Sequence, residues 1–344
     1  MASPARLLRA CLALFALSAG AARADYMIGF EAFRIEEYAV AVNELRPDAE
    51  AGDGGGAIVL ALIYANGYGR PAPDMPTALH WLEMGARSGD AAAASVGGAL
   101  LGIRRNATRE FESALAWITD AADRGNASAQ FVLGWMKTNA LGTPRDVAGG
   151  LAWTRRAAES GHVDAAYRLA SAYLEGRGVP RDDREAAVWF ARGGEGGHAP
   201  SQAALALLYA AGRGVAADPA QAAQWARRAA EQGFAEGQYF LAGLYANGVG
   251  VTKDDELAFS WFYRAAEQNY GPAQLRVAQM FAGGVGAPQD YREAYFWLIL
   301  GAIASVGQDV ARATSLRDQI MPKLTEQEQT AIEGRALAWT PRKP

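Results

Sequence analysis

The 344-residue chain has one cysteine, three histidines, no basic excess and no long apolar run. Each absence excludes something. A single Cys leaves no disulfide framework and no zinc module. With 33 Lys and Arg against 37 Asp and Glu, the formal charge is −4, so the clear basic surplus of a nucleic-acid binder is missing. No stretch approaches the ~20 apolar residues that a membrane-spanning helix needs. What remains is ordinary globular material, 51% hydrophobic and 20% charged, too apolar to stay disordered. Two residue types are plentiful: 39 Gly, above the usual ~7%, and nine Trp.

The first 24 residues read as an address. Arg6 and Arg9 precede an apolar run from Ala10 to Ala19, and Ala22-Arg23-Ala24 is an A-x-A cleavage site. Cleavage is expected after Ala24, giving a periplasmic or secreted protein without membrane insertion. Cys11 has Arg9 two residues before it, where a lipoprotein signal wants a small residue, so no lipid anchor is expected. Cleavage removes the only Cys with three Arg and no acid, leaving 30 basic against 37 acidic side chains and a net charge of −7.

Seven tryptophans, Trp81, Trp117, Trp153, Trp189, Trp225, Trp261 and Trp297, stand 36 residues apart. A fixed period of this length marks a repeat array. A small residue lies three positions before each Trp, from Ala78 and Ala114 through Gly150 to Ala294. Gly89, Gly125, Gly161, Gly197 and Gly233 follow the first five Trp by eight positions, and Asn269 takes the sixth place. An acid recurs seven positions before every Trp, as Asp74, Glu110, Asp146, Asp182, Asp218, Asp254 and Asp290.

Aligned carboxylates could be calcium ligands or catalytic acids. The simpler reading is a helix N-cap, which Asp favours, and Pro219 after Asp218 suits a first helical position. Gly or Asn past the Trp segment supplies the left-handed residue that closes a helix. Each repeat therefore holds a Trp-bearing helix of about fourteen residues. A second apolar helix follows, such as "DAAYRLASAYLEG", and ends in a loop: "GRGVPRD", "GRGVAAD" or "GVGVTKD". A G-x-G after a helix, with no preceding strand and no third Gly, is an interhelical turn rather than a dinucleotide fingerprint. The small residue before each Trp lies on the same helix face and permits close approach of a neighbouring helix.

The pattern A-x-x-W, then A-A-E-x-G, then a helix ending Y-x-x-G-x-G-V closely resembles the Sel-1-like repeat, a relative of the tetratricopeptide repeat. The clearest copy runs from Ala222 through "WARRAAEQGFAEGQYFLAGLYANGVGV". The resemblance covers about residues 36 to 300, as one partial and seven recognisable repeats. It implies an all-α fold, an α/α superhelical solenoid that binds proteins or peptides. The expected organisation is a signal peptide at 1–24, an N-terminal helix and degenerate half-repeat at 25–56, the solenoid at 57–300, and C-terminal capping helices at 301–344. The stretch from Gly97 to Ala107 lacks the loop glycines, and Leu45 replaces Trp in the half-repeat. Near the C-terminus, Thr325 and Glu328 form a capping-box pattern that opens an amphipathic helix through Ile332 and Leu337 to Trp339, a cover for the last apolar face.

Chemistry finds little purchase. The mature chain has no Cys, no G-x-S-x-G and no H-E-x-x-H, and no metal or cofactor is expected. His162 and His198 occupy equivalent places just after the closing Gly, too far apart to share a metal, while Asp90 and Asn126 fill the same place elsewhere. His80 reads as a helix-surface residue. Arg156, Arg192, Arg228 and Arg264 each follow a Trp by three, and Glu159, Glu195, Glu231 and Glu267 follow each Arg by three. Such spacing predicts weak ion pairs on a solvated face.

If tetratricopeptide-like packing holds, as the resemblance implies, the helix after each closing Gly lines the concave surface. Positions fourteen and eighteen after Trp then point into it: Phe131 and Trp135, Tyr167 and Ser171, Ala203 and Leu207, Tyr239 and Gly243. Asp164 and Glu236, eleven after Trp, share that face. Trp135 lies off the 36-residue ladder and is either core filler or an anchor for a partner. The expected function is a non-enzymatic protein-interaction scaffold in the bacterial envelope, holding a protein or peptide through Phe131, Trp135, Asp164, Tyr167, Ser171, Glu236 and Tyr239. Likeness to exported Sel-1-like proteins points toward envelope signalling or exopolysaccharide assembly. The alternative is an exported hydrolase of cell-wall or β-lactam substrates, an activity suggested for cysteine-rich relatives that staple each repeat with disulfides.

Overall fold

The computed structural model describes residues 32, 37–69, 74–87, 93, 115, 118–140, 143–303 and 308–342. The signal-like segment, Trp117, Glu110, Gly89, Asp90 and the stretch from Gly97 to Ala107 lie outside the described residues. Among the described residues the fold is all-α, the solenoid class expected. Its helices are α1 (Tyr38–Glu50), α2 (Gly54–Asn66), α3 (Met75–Arg87), α4 (Ala127–Asn139), α5 (Val147–Glu159), α6 (Val163–Glu175), α7 (Asp183–Glu195) and α8 (Ala199–Ala211). There follow α9 (Pro219–Glu231), α10 (Ala235–Asn247), α11 (Asp255–Glu267), α12 (Gly271–Gly283), α13 (Tyr291–Ile303), α14 (Gln308–Ile320), a 3-10 turn (Met321–Lys323) and α15 (Glu326–Ala338).

The periodic acids are the N-caps. Asp146 accepts from the Gly149 amide at 2.8 Å, Asp218 from Ala220 and Gln221 at 3.0 Å each, and Asp254 from Leu257 at 2.9 Å. Asp74, Asp182 and Asp290 cap in the same way. At the other end Gly125, Gly161, Gly197 and Gly233 take φ of 84 to 90°, and Asn269 takes 67°, the left-handed turn that ends a helix. The Trp-bearing helices run thirteen residues rather than fourteen. The loop glycines do a second task. Gly250, at φ 70°, lies so close to α9 that a Cβ would stand 1.9 Å from the Pro219 carbonyl oxygen.

The chain divides into two compact units, residues 1–169 with 177–180, and residues 170–176 with 181–344. In the first, α2 packs against α1 and α3, and α4 packs against α5. Leu45, standing where other repeats carry Trp, is fully buried with Leu60, Ile63 and Leu82. The α4–α5 crossing is glycine on glycine, since a Cβ on Gly134 would lie 2.6 Å from the Gly150 carbonyl oxygen. Gly150 is the small residue three before Trp153, so this position works as anticipated.

In the second unit each helix from α7 to α13 packs on the next. Ala186, Ala222, Ala258 and Ala294 are all fully buried. The last cluster is richer in large side chains, with Phe262, Leu275, Phe296, Trp297, Ile320 and Ile332. There α13 carries α14 and α15, which act as the expected cover. Thr325 and Glu328 form the capping box, Tyr295 Oη donates to Glu333 at 2.9 Å, and Glu293 and Arg335 form an ion pair. Trp339 meets Trp297 edge-on with ring centroids 6.1 Å apart. Leu337 departs from expectation: it is 88% exposed, and the buried face of α15 is Ile332 and Ala336. Residues four apart are separated by about 40° around a helix and residues five apart by about 140°, so Leu337 turns away.

Candidate functional site

The predicted binding positions lie on the helices that follow each closing Gly. In the first unit these include α4, with Phe131 and Trp135 half-buried, and α6, with Asp164 exposed and Tyr167 half-buried. Trp135 packs against the cluster of Ile118, Leu133 and Met136, so of the two readings open for it, core packing is the one with visible contacts. In the second unit, Ser171 and Tyr239 are half-buried, Glu236 is exposed, Ala203 is buried and Leu207 is 53% exposed.

A relationship that sequence spacing did not reveal organises these faces. The helix after each closing Gly opens on a residue nine positions past Trp: Asn126, His162, His198, Phe234 or Tyr270. Asn126, His162 and His198 are side-chain N-caps, accepting from Ala129 at 2.9 Å and, through Nδ1, from Ala165 and Ser201 at 3.3 Å each. The histidines therefore cap helices, and among the described residues no three His, Cys, Asp or Glu side chains gather into a metal-binding group.

At two of these caps the ring also meets the ring thirty-one residues earlier, stacked at His162 and edge-on at Tyr270. Phe131 and His162 lie 4.6 Å apart at 29°. Tyr239 and Tyr270 lie 5.4 Å apart at 61°, and Tyr239 also meets Phe262 at 5.3 Å. The Arg168 guanidinium stands 5.4 Å from the Phe131 ring centre. Burial, helped by the Glu236 carboxylate and Tyr239, raises the Tyr270 phenol above its ordinary pKa. The missed residues are thus His162, Arg168, Phe262 and Tyr270. A recurring ring nine after Trp was the signal for two of them.

The basic row also differs from expectation. Arg156, Arg192, Arg228 and Arg264 lie 4.4 to 4.6 Å from the ring centres of Trp153, Trp189, Trp225 and Trp261. Among the described residues none of them pairs with the Glu three positions on, and Glu267 instead pairs with Arg342 at 3.3 Å. Trp and Glu flank each Arg at equal spacing, and the guanidinium stacks on the indole, an attraction less dependent on two exposed charges meeting in water.

The Sel1 repeat family model matches residues 56–90, 127–162, 163–198, 199–234, 235–270 and 271–305. The chain belongs to the Sel1 repeat family. The unmatched interval, 91–126, contains the Gly97 to Ala107 stretch that lacks loop glycines. A Sel1 repeat protein from Oxalobacter formigenes is 29% identical, with 92% of each chain covered and a TM-score of 0.65. The Sel1-like-repeat-fold protein c5321, a protective antigen of uropathogenic Escherichia coli strains, is 23% identical over 95% of this chain and 93% of its own, with a TM-score of 0.45. No curated protein matches significantly. Sel1 repeat proteins are in general protein-interaction scaffolds, and no helix among the described residues is long and apolar enough to cross a membrane.

Proposed function

We propose that this Sel1 repeat protein is exported, cleaved after Ala24, and acts in the bacterial envelope as a non-enzymatic scaffold. It holds an extended segment or helix of another protein against the ring-bearing faces of the helices that follow each closing Gly. Its expected clients are proteins of envelope signalling or exopolysaccharide assembly. The observation that carries the reading is the recurrent ring pair, Phe131 with His162 and Tyr239 with Tyr270. Half-buried aromatic groups of this kind give large contact area at small entropic cost and are enriched where proteins bind one another. Nothing favours the hydrolase alternative.

Crosslinking in the periplasm followed by mass spectrometry tests this. The wild-type chain should capture a defined client and carry Asp25 as its first residue. Phe131→Ala with Tyr239→Ala should lose that client while the helical signal is unchanged. Capture by the folded double variant at the wild-type level would overturn the assignment of these faces.

A further inference from the structure

The two ring pairs are equivalent by repeat register, yet they are finished differently. At the first, Arg168 lies over Phe131, Trp135 stands one helical turn beyond, and the position three before Phe131 is the neutral Ser128. At the second, 108 residues on, Arg276 replaces Arg168 but turns to Gln279 Oε1 at 3.2 Å. Gly243 replaces Trp135, and a Cβ there would meet nothing within 4 Å. Glu236 replaces Ser128. The first copy thus supplies its own cation and its own bulk. The second has open space beside Tyr239 and a carboxylate beside the rings.

The polar groups at the second copy are also uncommitted. Among the described residues Glu236 makes no ion pair, and the hydroxyls of Tyr239 and Tyr270 make no hydrogen bond. Phe262, only 3% exposed, backs Tyr239 from beneath. A ring pair attracts a cation through its π faces, and an adjacent carboxylate adds charge pairing and two acceptors.

We infer that the face formed by Glu236, Tyr239, Gly243 and Tyr270 receives a basic side chain, arginine or lysine, of the bound protein segment. This rests on the scaffold reading and specifies what the scaffold selects. The guanidinium or ammonium occupies, on Tyr239, the place that Arg168 takes on Phe131. Its charge faces Glu236, and its aliphatic stem runs over Gly243.

The test titrates the whole chain with the pentapeptide acetyl-Ala-Gly-Arg-Gly-Ala-amide and with its citrulline counterpart, which keeps the shape and removes the charge. The arginine peptide should shift the ring resonances of Tyr239 and Tyr270 and bind about tenfold more tightly than the citrulline peptide. Glu236→Gln should remove that preference. Gly243→Trp, whose Cβ enters open space, should abolish binding without lowering the melting temperature. Equal binding of the two peptides, or binding of neither, overturns the inference. The two readings fail separately: a client lost by Tyr239→Ala but retained by Glu236→Gln overturns the basic-residue receptor and leaves the scaffold standing, whereas a client retained by the folded Phe131→Ala, Tyr239→Ala variant overturns the scaffold assignment itself.

Discussion

Gln202 Oε1 accepts a hydrogen bond from Gln232 Nε2 at 2.7 Å, and one repeat later Gln238 Oε1 accepts the same bond from Gln268 Nε2 at 2.8 Å. Each buried Gln also donates backward, Gln202 to the Gly194 carbonyl at 2.9 Å and Gln238 to the Ala230 carbonyl at 3.3 Å. Side-chain amides thirteen and seven positions after Trp therefore tie successive repeats together. A buried amide with partners on both ends escapes the desolvation cost of an orphaned one.

Gln130 has half of this arrangement. Its Nε2 donates to the Ala122 carbonyl at 3.1 Å, while its buried Oε1 has no hydrogen-bond partner among the described residues. The equivalent donor position, thirty residues on, is the exposed Ser160. Ser160→Gln should supply the missing amide and raise stability by about 1 kcal/mol in urea unfolding. Gln238→Leu, which takes the acceptor from the Gln268 amide and one donor from the Ala230 carbonyl, still bonded to the Gly233 amide, should cost roughly 1–3 kcal/mol for the two lost bonds. No gain from the first and no loss from the second would remove the amide ladder as a source of stability.

The helix boundaries were legible because they rest on local chemistry. Asp146 caps its own helix and Gly161 closes it, and both act within a few residues of themselves. What spacing could not show were contacts across about thirty residues. Polar Asp90 and Asn126, at the place of His162 and Tyr270, suggest a cap and nothing more, whereas the ring contact needs the neighbouring repeat. Arg228 illustrates a different limit. Trp225 and Glu231 are both three residues away, so spacing alone could not choose between stacking and ion pairing.

The arginine row gives a discriminating pair of variants. Arg228→Ala removes the guanidinium lying 4.4 Å from the Trp225 ring centre and should cost about 0.5–1 kcal/mol, the range for an exposed cation–π contact. Glu231→Gln should leave stability within ~0.5 kcal/mol of wild type, since no ion pair joins it to Arg228. A larger loss from Glu231→Gln than from Arg228→Ala, in chemical unfolding at low salt, would restore the ion-pair reading.

Two glycine-to-alanine changes should differ in sign. Alanine at a free helical position is worth roughly 0.5–1 kcal/mol over glycine, and at Gly243 the new methyl meets nothing within 4 Å. At Gly134 it would lie 2.6 Å from the Gly150 carbonyl oxygen and 2.7 Å from Thr154 Oγ1. Overpacking of this kind costs about 1–3 kcal/mol and outweighs the propensity gain. Gly243→Ala should raise the unfolding midpoint, and Gly134→Ala should lower it. A rise in both would mean that α4 and α5 can part without penalty.

Acid should act on the C-terminal cover. The Thr325 backbone amide, then the Arg292 guanidinium and the Thr325 hydroxyl, hold the Glu328 carboxyl at about 2, below its ordinary 4.5. Asp183 is held at about 2, against 3.8, first by Arg213 and then by Arg181. A carboxyl whose folded pKa lies below its unfolded value adds stability that is complete above the unfolded value and disappears as pH falls through the folded one. Stability should therefore drop between about pH 4.5 and 2. Glu328→Gln should be less stable than wild type at pH 7 and show a shallower decline across that window, because one carboxylate no longer has to be protonated. Parallel acid-unfolding curves for the two proteins would mean that the capping box and its Arg292 contact do not hold α15 in place.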